Sequence, residues 1–272
     1  MEPTTQTNQI ITHQKNRAAF AIPLAIIIAG LFVGVGLFFG LRGAGNAQLA
    51  QNGAQQQAAG ATNTTKDQIQ AAISPVESAY LDTSLTGKYP ITLGHADAPV
   101  TMDYWYDYQC PYCKAVDVGH PQIPIKPSMA MIVKDYVDTG KVKLVFKSFP
   151  FLGQDSITAA EYAHAIWMLY PDKFYEWHTH MMQAQDAEGD TGFGNAATID
   201  ILIGLIPGLD DNKIKQYIAD NKAALDKQIT AEQKDGSDHG VAGTPGFEIG
   251  SQSLDGAHAP EDFISAIDSQ LK

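Results

Sequence analysis

The chain has 272 residues, 44% of them apolar, and a formal net charge of −12 at pH 7, which is enough apolar material for one buried core with a further segment attached. From Pro90 onward there are 13 Lys and no Arg against 26 Asp plus Glu. A surface so acidic repels phosphate backbones and anionic headgroups, so neither nucleic acid nor an anionic lipid surface is an expected partner of this part.

Residues 1–17 are polar, carry Lys15 and Arg17, and read as a cytoplasmic tail. The 24 residues from Ala18 to Leu41 then carry no charge. As a helix they span roughly 36 Å, enough to cross a hydrocarbon core of about 30 Å with some tilt. Pro23 lies near the start, where a membrane helix tolerates it. Two basic residues precede the span and Arg42 alone follows it closely, which favours the N-terminus inside and the bulk of the chain outside. The expectation is a single-pass signal anchor in the cell membrane. Cleavage is the competing reading, because Gly45-Asn46-Ala47 resembles a small-x-small site; the apolar run, however, exceeds the roughly 7–15 residues of an ordinary signal core.

Gly43 to Thr65 is almost entirely Gln, Ala, Gly, Asn and Thr, with no charged or aromatic residue, and cannot bury a core. It reads as a tether with a reach of roughly 25 Å, and residues 42–89 as a whole as tether and lead-in. The folded domain is expected over 90–272, starting near Ile91. Pro99 to Tyr106 is rich in branched and aromatic residues and predicts a buried strand. A short helix follows. Pro121, Pro124 and Pro127 then forbid a continuous helix across 119–127. Ser128 to Asp138 is helical in pattern and stops at Gly140, and Val142 to Lys147 alternates as a second strand. Segments 155–184, 196–206 and 210–235 predict helices. A strand at Gly246–Ile249, a hairpin partner at Ser251–Leu254 and a closing helix at Pro260–Leu271 complete the order. Strands, a helical block over about 155–238, then strands again imply an α/β sheet core with a large helical insertion.

Only two cysteines are present, Cys110 and Cys113. A loop that short removes almost no chain entropy, so the pair is no folding staple. It falls where a strand hands over to a helix. Pro111 suits the first helical position, since its missing N–H is one of the unsatisfied donors there. Cys110 then caps the helix, where backbone amides and the positive dipole end favour a thiolate, the nucleophile of disulfide exchange. Cys113 lies one turn along the same face. Structural zinc would need four ligands; there is no second Cys pair, and His120, His178 or His180 could join only through the fold. An inert thiol pair is the other bland reading.

Asp107-Tyr-Gln-Cys-Pro-Tyr-Cys113, Phe146-Lys-Ser-Phe-Pro150, Phe174-Tyr-Glu-Trp-His178 and Gly243-Thr-Pro-Gly-Phe247 occur in that order, and over about residues 90–272 the chain resembles the DsbA-like thiol–disulfide oxidoreductases. The resemblance implies a thioredoxin-like mixed sheet with a helical insertion, Cys110 as attacking thiol and Cys113 as resolving thiol. It also implies Pro111 and Tyr112 as the intervening pair, Thr244-Pro245 as a cis-proline loop facing the disulfide, and no cofactor beyond that disulfide. Independently, a cis peptide is essentially confined to X-Pro bonds, and such a loop can pair with an extended client strand. The 131 residues between Cys113 and Pro245 leave room for an insertion that glutaredoxins, which share Cys-Pro-Tyr-Cys, lack.

The expected activity is disulfide donation to exported proteins, with reoxidation by a membrane quinone-linked partner of the DsbB or VKOR type. A reductase or isomerase of the same fold, and a non-catalytic module that binds unfolded chains or a membrane partner, are the alternatives. Family members often carry a carboxylate six residues before the first cysteine; here that position is Tyr104. Asp103 is one residue off, which in a strand means the opposite face, and Asp107 is the nearest substitute. The proline-rich 119–127 also differs from the usual continuation of the active-site helix. Tyr104, Trp105 and Tyr106 read as strand packing, and His178 and His180 as helix packing. Asp186, Glu188 and Asp190 alternate as in a calcium loop, but the glycines are misplaced and the twelfth position holds no Glu.

Overall fold

A computed structural model of the chain describes residues 66–185 and 194–271. The expected tail, membrane helix and tether to Thr65 lie outside them, as does the acidic alternation at 186–190. Among the described residues no helix is long and apolar enough to cross a membrane.

The centre is a five-stranded mixed sheet of β1 (Ile91–Leu93), β2 (Val100–Tyr106), β3 (Val142–Ser148), β4 (Gly246–Ile249) and β5 (Gln252–Asp255), in the order β1-β3-β2-β4-β5. β2 and β3 are parallel, and the other pairs antiparallel. A parallel pair needs a crossover, supplied by α1 (Pro111–Asp117) and α2, whose α-helical turn Met129–Ile132 continues as a π-helix over Val133–Val137. Between β3 and β4 lies the helical insertion: α3 (Gln154–Leu169), α4 (Phe174–Ala184), α5 (Ala196–Ile203) and α6 (Asp211–Asp238). α7 (Pro260–Gln270) closes the described chain. This is the thioredoxin-like α/β core with a helical insertion that the sequence predicts. The segment expected as one helix over 155–184 is two, because Pro171 has no N–H to continue α3 and opens a 3-10 turn instead.

The two faces of β2 have different work. Tyr104 and Tyr106 point toward α1 and α4, where both are buried among aromatic rings. Asp103 and Trp105 point the other way, toward α6: Lys147 bridges Asp103 (3.2 Å) and Asp235 (2.7 Å) and lies 4.6 Å from the centre of a Trp105 ring. The strand's period of two thus sends Asp103 away from the cysteines. α6 passes so close that a Cβ on Gly236 would come within 2.8 Å of Trp105 Cδ1.

The lead-in is not loose chain up to residue 90. Residues 66–72 are helical, and Ile69 is buried in the core. The Ser74 amide donates to Gln183 Oε1 (2.9 Å) and the Tyr80 amide to Asp138 Oδ1 (2.7 Å). Tyr80 stacks on His95, and Trp167 Nε1 donates to the Lys88 carbonyl (2.6 Å). The stretch lacks a helical or strand period, but single apolar anchors and backbone hydrogen bonds hold it on the domain. Both sheet edges are short: β1 has three residues, and β5 exposes Gln252, Ser253 and Asp255.

Candidate active site

β2 ends beneath the cysteines, and its last carbonyl, on Tyr106, accepts from the Phe149 amide after the neighbouring strand (2.8 Å). The loop that follows is braced by Asp107. Its Oδ1 accepts from the Gln109 amide (2.8 Å), and its Oδ2 accepts from the amides of Phe151 (2.9 Å) and Leu152 (3.2 Å). Asp107 is therefore a clamp between two loops rather than a proton carrier for the thiols. The Cys110 amide donates to the Asp107 carbonyl (3.1 Å), Cys110 takes an extended N-cap conformation, and Pro111 opens α1. Gln185, at the C-terminal end of α4, donates its side-chain amide to the carbonyls of Tyr108 (2.6 Å) and Cys110 (3.1 Å). Nothing in the sequence singled it out.

The pairing of β4 with β2, Gly246 opposite Trp105, carries the preceding loop to the cysteines. The Thr244-Pro245 bond is cis, as the resemblance implies. The Cys110 thiol donates to the Thr244 carbonyl at 3.3 Å. Both cysteines stand as free thiols and both are buried, Cys110 at 3% exposure and Cys113 at 0%. Although it caps the helix, Cys110 is buried against the Thr244-Pro245 loop. The exposed member of the tetrad is Tyr112, at 52%. Beside the loop runs a groove lined by Gly243, Thr244, Pro245, Asp255 and Gly256.

The two thiols differ in acidity. A hydrogen bond from the Cys113 thiol lowers Cys110 most; burial works against it, Thr244 and the amides of Cys113 and Tyr112 add to the lowering, and the result is about 7. Cys113 is pushed well up, first by burial and then by the hydrogen bond and charge of Cys110. A dithiol so arranged holds one sulfur ready as a thiolate and the other protonated.

Under the pair lies a chain of buried polar groups. The Tyr104 hydroxyl donates to Asp117 Oδ2 (3.1 Å), and His178 Nε2 approaches the same oxygen (3.1 Å). His178 Nδ1 meets the Tyr108 hydroxyl (2.9 Å), which in turn meets that of Tyr106 (3.3 Å). Neither Tyr104 nor His178 is mere packing. Asp117 was missed because it is separated from His178 by 61 residues; the available signal was a lone carboxylate one turn beyond Cys113 among Ala115, Val116 and Val118. His180 is bonded instead to Gln183 (3.0 Å). Among the described residues no group of three or more His, Cys, Asp or Glu side chains is placed to hold a metal ion.

A central mixed sheet, a dithiol at the start of the helix after its middle strand, and a cis-proline loop against the first sulfur define a thioredoxin-fold redox protein. The thioredoxin family profile matches residues 86–269. The probable disulfide bond formation protein D of Bacillus cereus is 30% identical over 186 residues, 66% of this chain and 78% of that one. Its counterpart from Bacillus anthracis is 29% identical over 188 residues, with the same coverage. Among solved structures, oxidised BdbD from Bacillus subtilis shares the fold with a TM-score of 0.56 at 23% identity, over 72% of this chain and 99% of that one. The chain belongs to the thioredoxin family, with disulfide bond formation proteins among its relatives. It is a thiol–disulfide oxidoreductase.

Proposed function

We propose that this protein is a disulfide-donating oxidase for exported proteins, in which Cys110 attacks or is attacked by client sulfur and Cys113 resolves the mixed disulfide. The observation that carries the reading is the similarity to disulfide bond formation proteins, and Cys110, lowered from 9.0 to about 7, is primed for exchange. A stabilised thiolate stabilises the dithiol, so the disulfide form is the better oxidant. The Thr244 carbonyl and the groove beside Pro245 supply an edge against which an extended client can lie next to Cys110. Tyr112, exposed between the cysteines, offers an aromatic contact to the same client.

In this reading residues 18–41 anchor the protein in the cell membrane with the redox domain on the extracytoplasmic side. The charge asymmetry around that span supports it. The clients are exported proteins with free thiols, and a membrane quinone-linked oxidoreductase restores the disulfide. The test is a non-reducing gel from cells carrying Cys113→Ala or Cys110→Ala in the full chain. Cys113→Ala should accumulate mixed disulfides with clients, and Cys110→Ala few or none. Alkylation trapping of the wild-type pair should find it mostly oxidised; a mostly dithiol pair overturns the oxidase reading in favour of a reductase, and equal trapping by the two variants overturns the division of roles.

A further inference from the structure

The family's usual buried carboxylate position holds Tyr104, and the Asp107 carboxylate is committed to three backbone amides. Yet Cys113 is fully buried and its thiol is held protonated. Each time Cys113 forms or leaves a disulfide it must exchange a proton with something. The groups beneath it are therefore worth following outward.

Cys113 is among the groups that raise the Tyr104 hydroxyl, after burial and Asp117, and Tyr104, from β2, donates to Asp117 Oδ2 (3.1 Å). His178, from α4, approaches that same oxygen (3.1 Å). The second oxygen, Oδ1, is buried and receives no hydrogen bond from any described group. Asp117 is 5% exposed and forms part of the wall of a cavity of ≈ 320 Å³ between α1, α2, α4 and the strap 75–78. That is room for several waters. The other titratable groups on the cavity wall are Glu77, Lys134, Asp138 and Tyr175. A carboxylate at the last residue of α1 also lies at the negative end of the helix dipole, so the helix itself gains nothing from it.

We infer that Asp117 is the proton relay for Cys113, reached through the Tyr104 hydroxyl, oriented by His178, and linked to solvent by the cavity whose wall Asp117 joins. The inference rests on the thiol-exchange reading of the cysteines. When a mixed disulfide on Cys110 is resolved, the Cys113 proton passes to the Tyr104 oxygen as the Tyr104 proton passes to Asp117. The Cys113 thiolate forms the bond to Cys110 sulfur, the bond from Cys110 to the partner sulfur breaks, and the partner leaves as a thiolate with that electron pair. Asp117 returns its proton through the cavity. In client oxidation the sequence runs backward: Cys113 leaves as a thiolate and is reprotonated by the same path.

The experiment uses the full-length reduced protein and an aromatic disulfide that liberates a coloured thiolate. One coloured thiolate is released when Cys110 attacks, and a second when Cys113 resolves the mixed disulfide. Stopped-flow absorbance separates the two steps across pH. In Asp117→Asn and in Tyr104→Phe the second step should slow by about 100-fold at neutral pH, and its rate should climb about tenfold per pH unit, as for a thiol with no internal base. Asp117→Glu should restore part of the wild-type profile. The first step should keep its pH dependence in all three variants, and Asp103→Asn, on the opposite face of β2, should leave both steps unchanged. A purely structural Asp117 could lower stability but could not change the pH profile of one step alone. Wild-type profiles for the second step in Tyr104→Phe, which removes only a hydroxyl, overturn the relay even if Asp117→Asn does not fold. Loss of the first release in wild type would instead overturn the exchange reading beneath it.

Discussion

Among the described residues two histidine–carboxylate pairs are buried, and their surroundings differ in one respect that separates support from chemistry. In the insertion, His164 of α3 lies 3.2 Å from Glu232 of α6. Both Glu232 oxygens are engaged: one also accepts from the Ser148 amide at the end of β3 (2.7 Å), and the other from Gln228 Nε2 (3.0 Å). It ties α6 and α3 to the sheet. Below the cysteines, His178 of α4 pairs with Asp117 of α1 at nearly the same distance, but there both donors converge on one oxygen, the other accepts from no described group, and Asp117 joins the wall of a cavity. The same two side-chain types thus make a staple where both carboxylate oxygens are bonded, and a proton carrier where one is not.

The sharpest way to break this contrast is to remove the staple. Glu232→Ala leaves the Ser148 amide and His164 without their carboxylate, and urea unfolding should report a loss of about 3–5 kcal/mol, with exchange activity per folded molecule intact. Equal damage to activity and stability would erase the distinction. Asp117→Asn should cost much less, about 1 kcal/mol, because an amide oxygen can still accept from both donors; its defect should appear in kinetics instead. Between them lies Gly236→Ala. The new methyl would meet Trp105 at 2.8 Å, and overpacking of about 1–3 kcal/mol should exceed the roughly 1 kcal/mol gained in helix propensity. The net result is a modest fall in melting temperature.

The mildest effect is a titration. Alkylation of Cys110 should follow a midpoint of about 7 in wild type and in Glu232→Ala alike. Cys110 is an acid whose folded value is lowered from 9.0. The stabilisation this gives the dithiol is therefore complete above about pH 9 and is lost as pH falls through about 7. The pair should be most oxidising, relative to an ordinary dithiol, at the alkaline end of that window. A midpoint near 9 in the alkylation rate would remove the electrostatic basis for Cys110 as the thiolate nucleophile at neutral pH.

What could be read from the sequence was carried by local chemistry. The β-rich run before Cys110, Pro111 at the helix start and the prolines after Gly119 each dictate backbone conformation within a few residues, and β2, α1 and the interrupted stretch follow from them. Thr244-Pro245 was legible through its resemblance to a family motif. The relay was not, because Asp117 and His178 acquire meaning only when α4 folds against α1. A lone Asp and a lone His in apolar surroundings look like packing until then. The strap from residue 66 to Pro90 was illegible for a related reason: scattered contacts such as Ile69 in the core and Tyr80 on His95 leave no period to detect. The π-helical turn at Val133–Val137 likewise has no signal in an ordinary helical pattern.

The shortness of the sheet's outer strands has a bearing on aggregation. A protein that meets unfolded, extended chains as its substrates risks having them join its own sheet edge and stay there. At one margin the free edge is four residues of Gln, Ser, Leu and Asp; at the other, three-residue β1 is bordered by the strap, with Leu81 bridged to Gly94. An extended chain therefore finds no long hydrophobic ladder at either margin. Lasting association is left to the reversible sulfur bond at Cys110, so a client departs when its chemistry is finished.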